Sequence, residues 1–182
     1  MSTTAVLTGT QWSVDPIHSE LAFKVKHLMI SNVKGVFGQY QASINADSTS
    51  PITSDVHLTI NPSSINTGDA GRDQHLRAAD FFDVENFPAI EFVGKKLEKI
   101  DANDYKLLGE LTIKGITKPV TLDIEFGGIM KDPWGNEKAG LAVNGKINRS
   151  DFGLTFNAAL ETGGVLLGEE VKINAEFQLI KQ

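Results

Sequence analysis

The chain has no cysteine, so disulfides, thiolate nucleophiles and cysteine-based metal sites are all excluded. No segment approaches the roughly 18 consecutive apolar residues of a membrane-crossing helix. Residues 1–12 have neither a basic start nor an apolar stretch, so they do not read as a secretory signal. The expected compartment is therefore the cytoplasm, or the periplasm or exterior if the chain is a processed form. There is no excess of basic residues either. The net charge is −6, with both signs scattered along the chain. That balance argues against a nucleic-acid surface, which needs a basic patch, and against electrostatic attachment to anionic membranes. No cofactor is implied by any motif.

What is present is alternation of apolar and polar residues, the period of strands with one buried face. In 20–27, Leu21, Phe23 and Val25 alternate with Ala22, Lys24 and Lys26. In 55–60, Val56, Leu58 and Ile60 alternate with Asp55, His57 and Thr59. In 119–126 the apolar set is Val120, Leu122, Ile124 and Phe126; in 171–179 it is Val171, Ile173, Ala175, Phe177 and Leu179. Similar runs cover 33–46, 90–100, 105–114 and 141–149, giving eight strands. Most separators are short: 101–104, 115–117 and 131–136. Short links require antiparallel neighbours, because a parallel pair needs a crossover of about a dozen residues. The expected fold is all-β: one eight-stranded antiparallel, lipocalin-like barrel over 11–182, preceded by a flexible tail at 1–10. Closure also removes unpaired edges. A two-sheet sandwich is the competing arrangement.

One stretch departs from this pattern. Residues 67–83 predict a short helical insertion of one or two turns, around 70–83, with Thr67 or Asp69 as N-cap. Leu76, Ala79 and Phe82 fall three apart, which would lay it on the barrel rim. Residues 151–166, with Gly153, Gly163 and Gly164, predict a flexible loop at the mouth.

Several inward faces carry a small residue among large apolar ones. Gly94 follows Ile90 and Phe92, Gly109 lies between Leu107 and Leu111, Gly145 between Val143 and Ile147, and Ala175 between Ile173 and Phe177. An eight-stranded barrel is either just filled by its side chains or holds one small ligand, and small inward residues favour the second. The competing view is that each glycine only lets its strand coil. The expected tunnel lining is Leu21, Phe23, Val25, Phe37, Phe92, Gly94, Leu107, Gly109, Leu111, Leu122, Ile124, Val143, Gly145, Ile147, Ile173, Ala175 and Phe177. Such a lining suits a long apolar guest, since burial is worth about 0.8 kcal/mol per CH₂.

Polar residues at the expected rim are Arg72, Asp73, His75 and Arg149. The cluster of Arg72, Asp73, Gln74, His75, Arg77 and Asp80 suits a cap over a lipid head group or an acid–base site. It suits equally a network tying the insertion to the barrel. Arg149 faces nominally inward and needs a partner, for which Asp151 or Asp73 is expected. Asp15, His18 and Ser19 invite a catalytic triad. Adjacent residues on a strand point to opposite faces, however, and no Gly-x-Ser-x-Gly turn is present. The four histidines show no metal-ligand spacing. Trp12 is a candidate plug for the far end. Neither a catalytic residue nor a metal ligand is expected.

Taken together, the motifs resemble the YceI-like family of lipid-binding proteins. They begin with Trp12-Ser13-Val14-Asp15-Pro16-Ile17-His18-Ser19, Phe23-Lys24-Val25-Lys26-His27-Leu28-Met29 and Val33-Lys34-Gly35-Val36-Phe37. Ile65-Asn66-Thr67-Gly68, Arg72-Asp73-Gln74-His75-Leu76, Asp80-Phe81-Phe82-Asp83 and Phe87-Pro88 follow. The last are Glu110-Leu111-Thr112-Ile113-Lys114-Gly115, Thr117-Lys118-Pro119-Val120, Arg149-Ser150-Asp151-Phe152-Gly153 and Val171-Lys172-Ile173. The resemblance implies an eight-stranded lipocalin-like barrel holding a polyisoprenoid or another long-chain amphiphile, with homodimers in several relatives. It implies no catalytic residues. Many relatives are periplasmic behind a signal peptide, which this sequence does not show.

The leading expectation is a non-enzymatic binder of an isoprenoid or similar lipid, for storage, transport or isoprenoid-quinone metabolism. The small lipophilic ligand is its main partner, with no nucleic acid and no integral membrane association. A scavenger of lipophilic stress compounds or antibiotics, or an enzyme acting on an isoprenoid lipid, are the alternatives. On the sequence alone, Gly109→Leu or Gly145→Leu is expected to block the tunnel and abolish lipid retention while the fold survives, measured by extracting the purified variants.

Overall fold

A computed structural model of the chain describes residues 9–46 and 54–182. The strands are β1 (Thr10–Val14), β2 (Glu20–His27), β3 (Ser31–Phe37), β4 (Tyr40–Ala46), β5 (Ser54–Ile60), β6 (Ile65–Asn66), β7 (Ile90–Lys99), β8 (Asp104–Ile113), β9 (Ile116–Lys131), β10 (Glu137–Asn148) and β11 (Leu167–Lys181). All pairings are antiparallel. β1 and β2 are two halves of one long stave, broken by the 3-10 turn Pro16–His18. β3 runs into β4 across a bend at Gly38 and Gln39, and β5 into β6 across the 3-10 turn Pro62–Ser64. With these three bent staves and β7 to β11, the wall is a closed antiparallel barrel of eight. β11 closes it, pairing with β10 along one edge and with β2 and then β1 along the other.

Alternation explains most of these elements, and the departures have local causes. β1 is too short to show alternation, yet Trp12 pairs with both Lys181 and Ile44. The expected tail falls largely outside the described residues, and its last residue, Thr10, already pairs with Ala46. The separator expected at 115–117 is a tighter turn. Lys114 (φ 51°) and Gly115 (φ 72°) both take the left-handed conformation of a two-residue hairpin, so Ile116 pairs with Ile113. β9 and β10 run beyond their alternating stretches across a bulge, where the register shifts between Gly140 and Leu141 and leaves Gly127 without a partner on β10. β11 also runs beyond its stretch, with a register shift of its own against β2 between Leu167 and Val171.

The insertion forms a helix of about two turns, α1 (Ala70–Arg77), and Ala79 and Phe82 lie beyond its end. Asp69 is the N-cap, its Oδ1 accepting from the Arg72 N–H at 2.8 Å. Irregular residues 78–89 then carry Phe81 and Phe82 against the barrel interior. α1 begins just beyond β6, whose pairing to β3 is confined to Val36 and Phe37.

One buried polar knot holds the bend between β1 and β2. The Asp15 carboxylate meets His18 Nδ1 at 2.8 Å and Lys138 Nζ at 2.9 Å and accepts from the Ile17 N–H at 3.1 Å. It thereby ties the first stave to β10, and these partners, His18 first, pull its pKa down to about 2. A carboxylate depressed in this way stabilises the fold fully above its unfolded pKa of about 4, and the contribution fades as pH falls toward 2. Asp15→Ala is expected to cost about 1–3 kcal/mol at neutral pH in urea unfolding. The gap to wild type should shrink as pH is lowered through that window.

Candidate functional site

The barrel encloses a cavity of 560 Å³ that extends from the α1 end to Trp12. Leu21, Phe23, Val25, Phe37, Phe92, Leu107, Leu111, Leu122, Ile124, Val143, Ile147, Ile173, Ala175 and Phe177 all face it, where the alternation places them. At the end away from α1, Trp12, Ala46, Ala139 and Leu179 form a buried cluster of their own. Residues outside the expected lining also face the cavity. Val56, Leu58 and Ile60 come from β5, and Ile44 from β4. Leu76, Phe81, Phe82, Leu154 and Phe156 come from non-strand segments, where no strand period marks an inward position.

The glycines behave differently from expectation. Gly94, Gly109 and Gly145 do not line the cavity, because neighbouring side chains already occupy the space a Cβ would need. A Cβ on Gly109 would collide with the Phe92 ring and come within 2.6 Å of the Val93 carbonyl oxygen. On Gly145 it would lie 2.5 Å from Leu122 Cδ2, and on Gly94 2.9 Å from Val56 Cβ. The small residues therefore act one step removed. They are seats filled by large side chains from neighbouring strands, Phe92, Leu122 and Val56, which themselves line the cavity. Gly35 seats Phe23 in the same manner.

At the α1 end the polar cluster divides into separate ties. Arg72 donates from Nε to Thr67 Oγ1 at 2.7 Å and from Nη2 to the Thr67 carbonyl at 2.9 Å. Asp73 is buried rather than on the rim, accepting from the Thr67 N–H and hydroxyl at 2.9 and 2.6 Å. Arg77 donates to the carbonyls of Ser63 and Ile65. His75 Nε2 meets Asp80 at 3.0 Å, and its ring packs edge-on against Phe81 and Phe156, with centroids at 5.0 and 4.8 Å. Arg72 and His75 nevertheless present surface to the cavity, with Thr67 and His27 beside them.

Arg149 also reaches the cavity, but its charge is held by neither Asp151 nor Asp73. Only 3% exposed, it donates to the carbonyls of Gly168, Leu154 and Phe156 and pairs with Glu169 at 3.3 Å. Those acceptors come from the connection after β10 and the start of β11, a chain path invisible to sequence spacing. Arg149 thus pins the 149–168 connection over the barrel. His18 lies on a 3-10 turn rather than a strand, bonded to Asp15, while the Ser19 hydroxyl accepts from the Gln178 N–H at 2.9 Å. These three groups do not form a relay. Among the described residues, no group of three or more His, Asp or Glu side chains is placed to hold a metal ion.

A closed antiparallel barrel with an apolar, continuous lumen and a few polar groups at one end belongs to the class of barrels that enclose a ligand. The YceI-like domain pattern matches residues 12–179. The chain belongs to the YceI-like family. It is 45% identical over 173 residues to a UPF0312 protein of Staphylococcus aureus (strain MSSA476), covering 93% of this chain and 98% of that one. Its structure is similar to that of the Campylobacter jejuni YCEI protein, with a TM-score of 0.75, 40% identity, and 87% and 91% of the two chains covered. It shares its fold with a polyisoprenoid binding domain from Saccharophagus degradans, with a TM-score of 0.68, 14% identity, and 94% and 98% covered.

The crowding at the glycine seats changes what substitutions there should do. Gly109→Ala is expected to destabilise by about 1–3 kcal/mol by forcing the Phe92 ring off the wall. Gly109→Leu should cost more and yield little folded protein. Urea unfolding checks both, and a fully stable Gly109→Leu would show that the seat is not filled.

Proposed function

We propose that this protein binds a long-chain isoprenoid or similar amphiphilic lipid in its lumen and stores or transports it without chemical change. The observation that carries this reading is the lumen: 560 Å³ in volume, with strand side chains of Leu, Ile, Val and Phe around its wall. Ligand sites typically occupy about 300–1,000 Å³. Water in so apolar a space would lack hydrogen-bond partners, whereas a hydrocarbon gains about 0.8 kcal/mol per buried CH₂.

Polarity is concentrated at the α1 end, where Thr67, Arg72, His75 and His27 border the cavity. This asymmetry favours an amphiphile lying with its head group there and its tail toward Trp12. The shared fold with a domain described as polyisoprenoid-binding supports the choice of tail.

Organic extraction and native mass spectrometry of the purified protein test the reading, with an intact long-chain lipid at near-stoichiometric occupancy expected. Ala175 and Val143 are directly opposed on β11 and β10 and both face the lumen. Ala175→Leu combined with Val143→Phe should reduce occupancy several-fold at a stability cost of about 1–3 kcal/mol. An occupant of unrelated small apolar compounds would favour a scavenger. Turnover of an added isoprenoid that vanishes in His75→Ala would make the protein an enzyme.

A further inference from the structure

The outer face beside the α1 end carries a charge pattern hidden by the net charge of −6. Lys34 on β3 lies directly opposite Lys24 on β2, Lys24 opposite Lys172 on β11, and Lys172 opposite Lys146 on β10. One lateral row across four adjacent strands is thus lysine at every position. Side chains directly opposed across antiparallel strands are about 5 Å apart at Cβ, and like charges there repel. Lys146 has Glu170 at 3.5 Å; among the described residues no carboxylate stands within 4.0 Å of Lys24, Lys26, Lys34 or Lys172. Lysine on an exposed sheet edge is a known guard against aggregation, but that accounts only for Lys34, which lies beyond the short pairing of β3 with β6 at Val36 and Phe37. Lys24, Lys172 and Lys146 sit on strands paired on both sides.

The hairpin that joins β2 to β3 projects from the same wall. Its tip is Leu28-Met29-Ile30, with Met29 59% and Ile30 82% exposed. Leu28 (φ 52°) and Met29 (φ 62°) both adopt the left-handed conformation, which Gly or Asn accepts far more readily. Strain at a tip bearing large exposed apolar side chains points to a use for them. The tip is braced, since the Leu28 N–H donates to the Leu166 carbonyl at 2.9 Å and Met29 packs on Gly164. Val165, on that bracing loop, is also exposed. Lys24 lies four residues from the tip along β2, or about 13 Å at the rise of a strand.

We propose that this edge docks the barrel on an anionic phospholipid surface, with the Leu28–Ile30 tip entering the apolar boundary and the lysine row facing the head groups. The tip, the row and the polar end of the lumen lie at one end of the barrel, so docking sets the α1 end of the cavity beside the bilayer. The assignment builds on the lipid-carrying reading, which supplies the reason to meet a membrane. Each juxtaposed lysine adds attraction to an anionic surface, and the pull decays within a Debye length.

Flotation with vesicles of phosphatidylcholine alone, or of an equal mixture with phosphatidylglycerol, tests this. The wild-type protein is expected to bind the mixed vesicles at least about tenfold better, and raising the salt should release it. Lys24→Gln, Lys34→Gln, Lys146→Gln and Lys172→Gln combined should remove that preference. Met29→Asn with Ile30→Ser should weaken binding about tenfold while preserving the turn, since asparagine tolerates positive φ. Equal partition of the wild type and both variants, or no binding to mixed vesicles, overturns the proposal. So does a dimer, seen by sedimentation, that the tip variant dissolves, for then a second copy covers the tip. Extraction of the same samples separates the two readings: a lumen without lipid refutes the carrier, whereas vesicle binding is scored independently.

Discussion

The pairing of β11 with three different strands is the constraint on which the rest of the molecule depends. Along one edge it runs the length of β10; along the other it meets β2 from Val171 to Glu176 and then β1 from Leu179 to Lys181. One continuous strand thereby spans the bend in the first stave and converts a twisted sheet into a ring. Asp15 sits at that bend and reaches across to Lys138 on β10, a buried charge with three partners, whose removal would loosen the join. Without closure the apolar inner faces would have to collapse on one another. With it, they are held apart.

That separation makes the lumen possible, and the glycines preserve it indirectly. Phe92, Leu122 and Phe23 fill the space left beside Gly109, Gly145 and Gly35, and all three line the cavity, so the missing side chains make room for the wall's bulky ones. At the α1 end, where β6 ends after two residues, the lining passes to Leu76, Phe81, Phe82, Leu154 and Phe156. The polar groups there serve first as fastenings. Asp73 and Arg72 bind Thr67, Arg77 binds the end of the β5–β6 stave, and Arg149 gathers the connection before β11. Arg72 and Arg149, together with His75, also face the cavity, which gives the site its polarity from one end to the other.

Much of this was legible in residue order. Alternation located β2, β5 and β7 to β11, read β3 and β4 as one run, and passed over the two-residue β6; Leu122, Ile124, Val143 and Ile173 face the lumen because the strand period is two. Three kinds of feature were not legible. β1 offered too few residues to show a period. The extensions of β9 and β10 lie beyond a bulge, which breaks alternation locally. The partners of Arg149 are backbone carbonyls, and every residue has one, so side-chain identity carries no hint of them.

The sequence by itself determined the all-β character, the antiparallel order and the inward-facing apolar set, because these follow from local periodicity and short connections. Tertiary structure alone decided what the small residues do, since whether a missing Cβ leaves a void or a seat depends on a neighbour across the sheet. It also decided the charge that another surface meets. A chain of net negative charge carries four lysines in one row only because antiparallel register sets Lys34, Lys24, Lys172 and Lys146 side by side, and register is a property of paired strands.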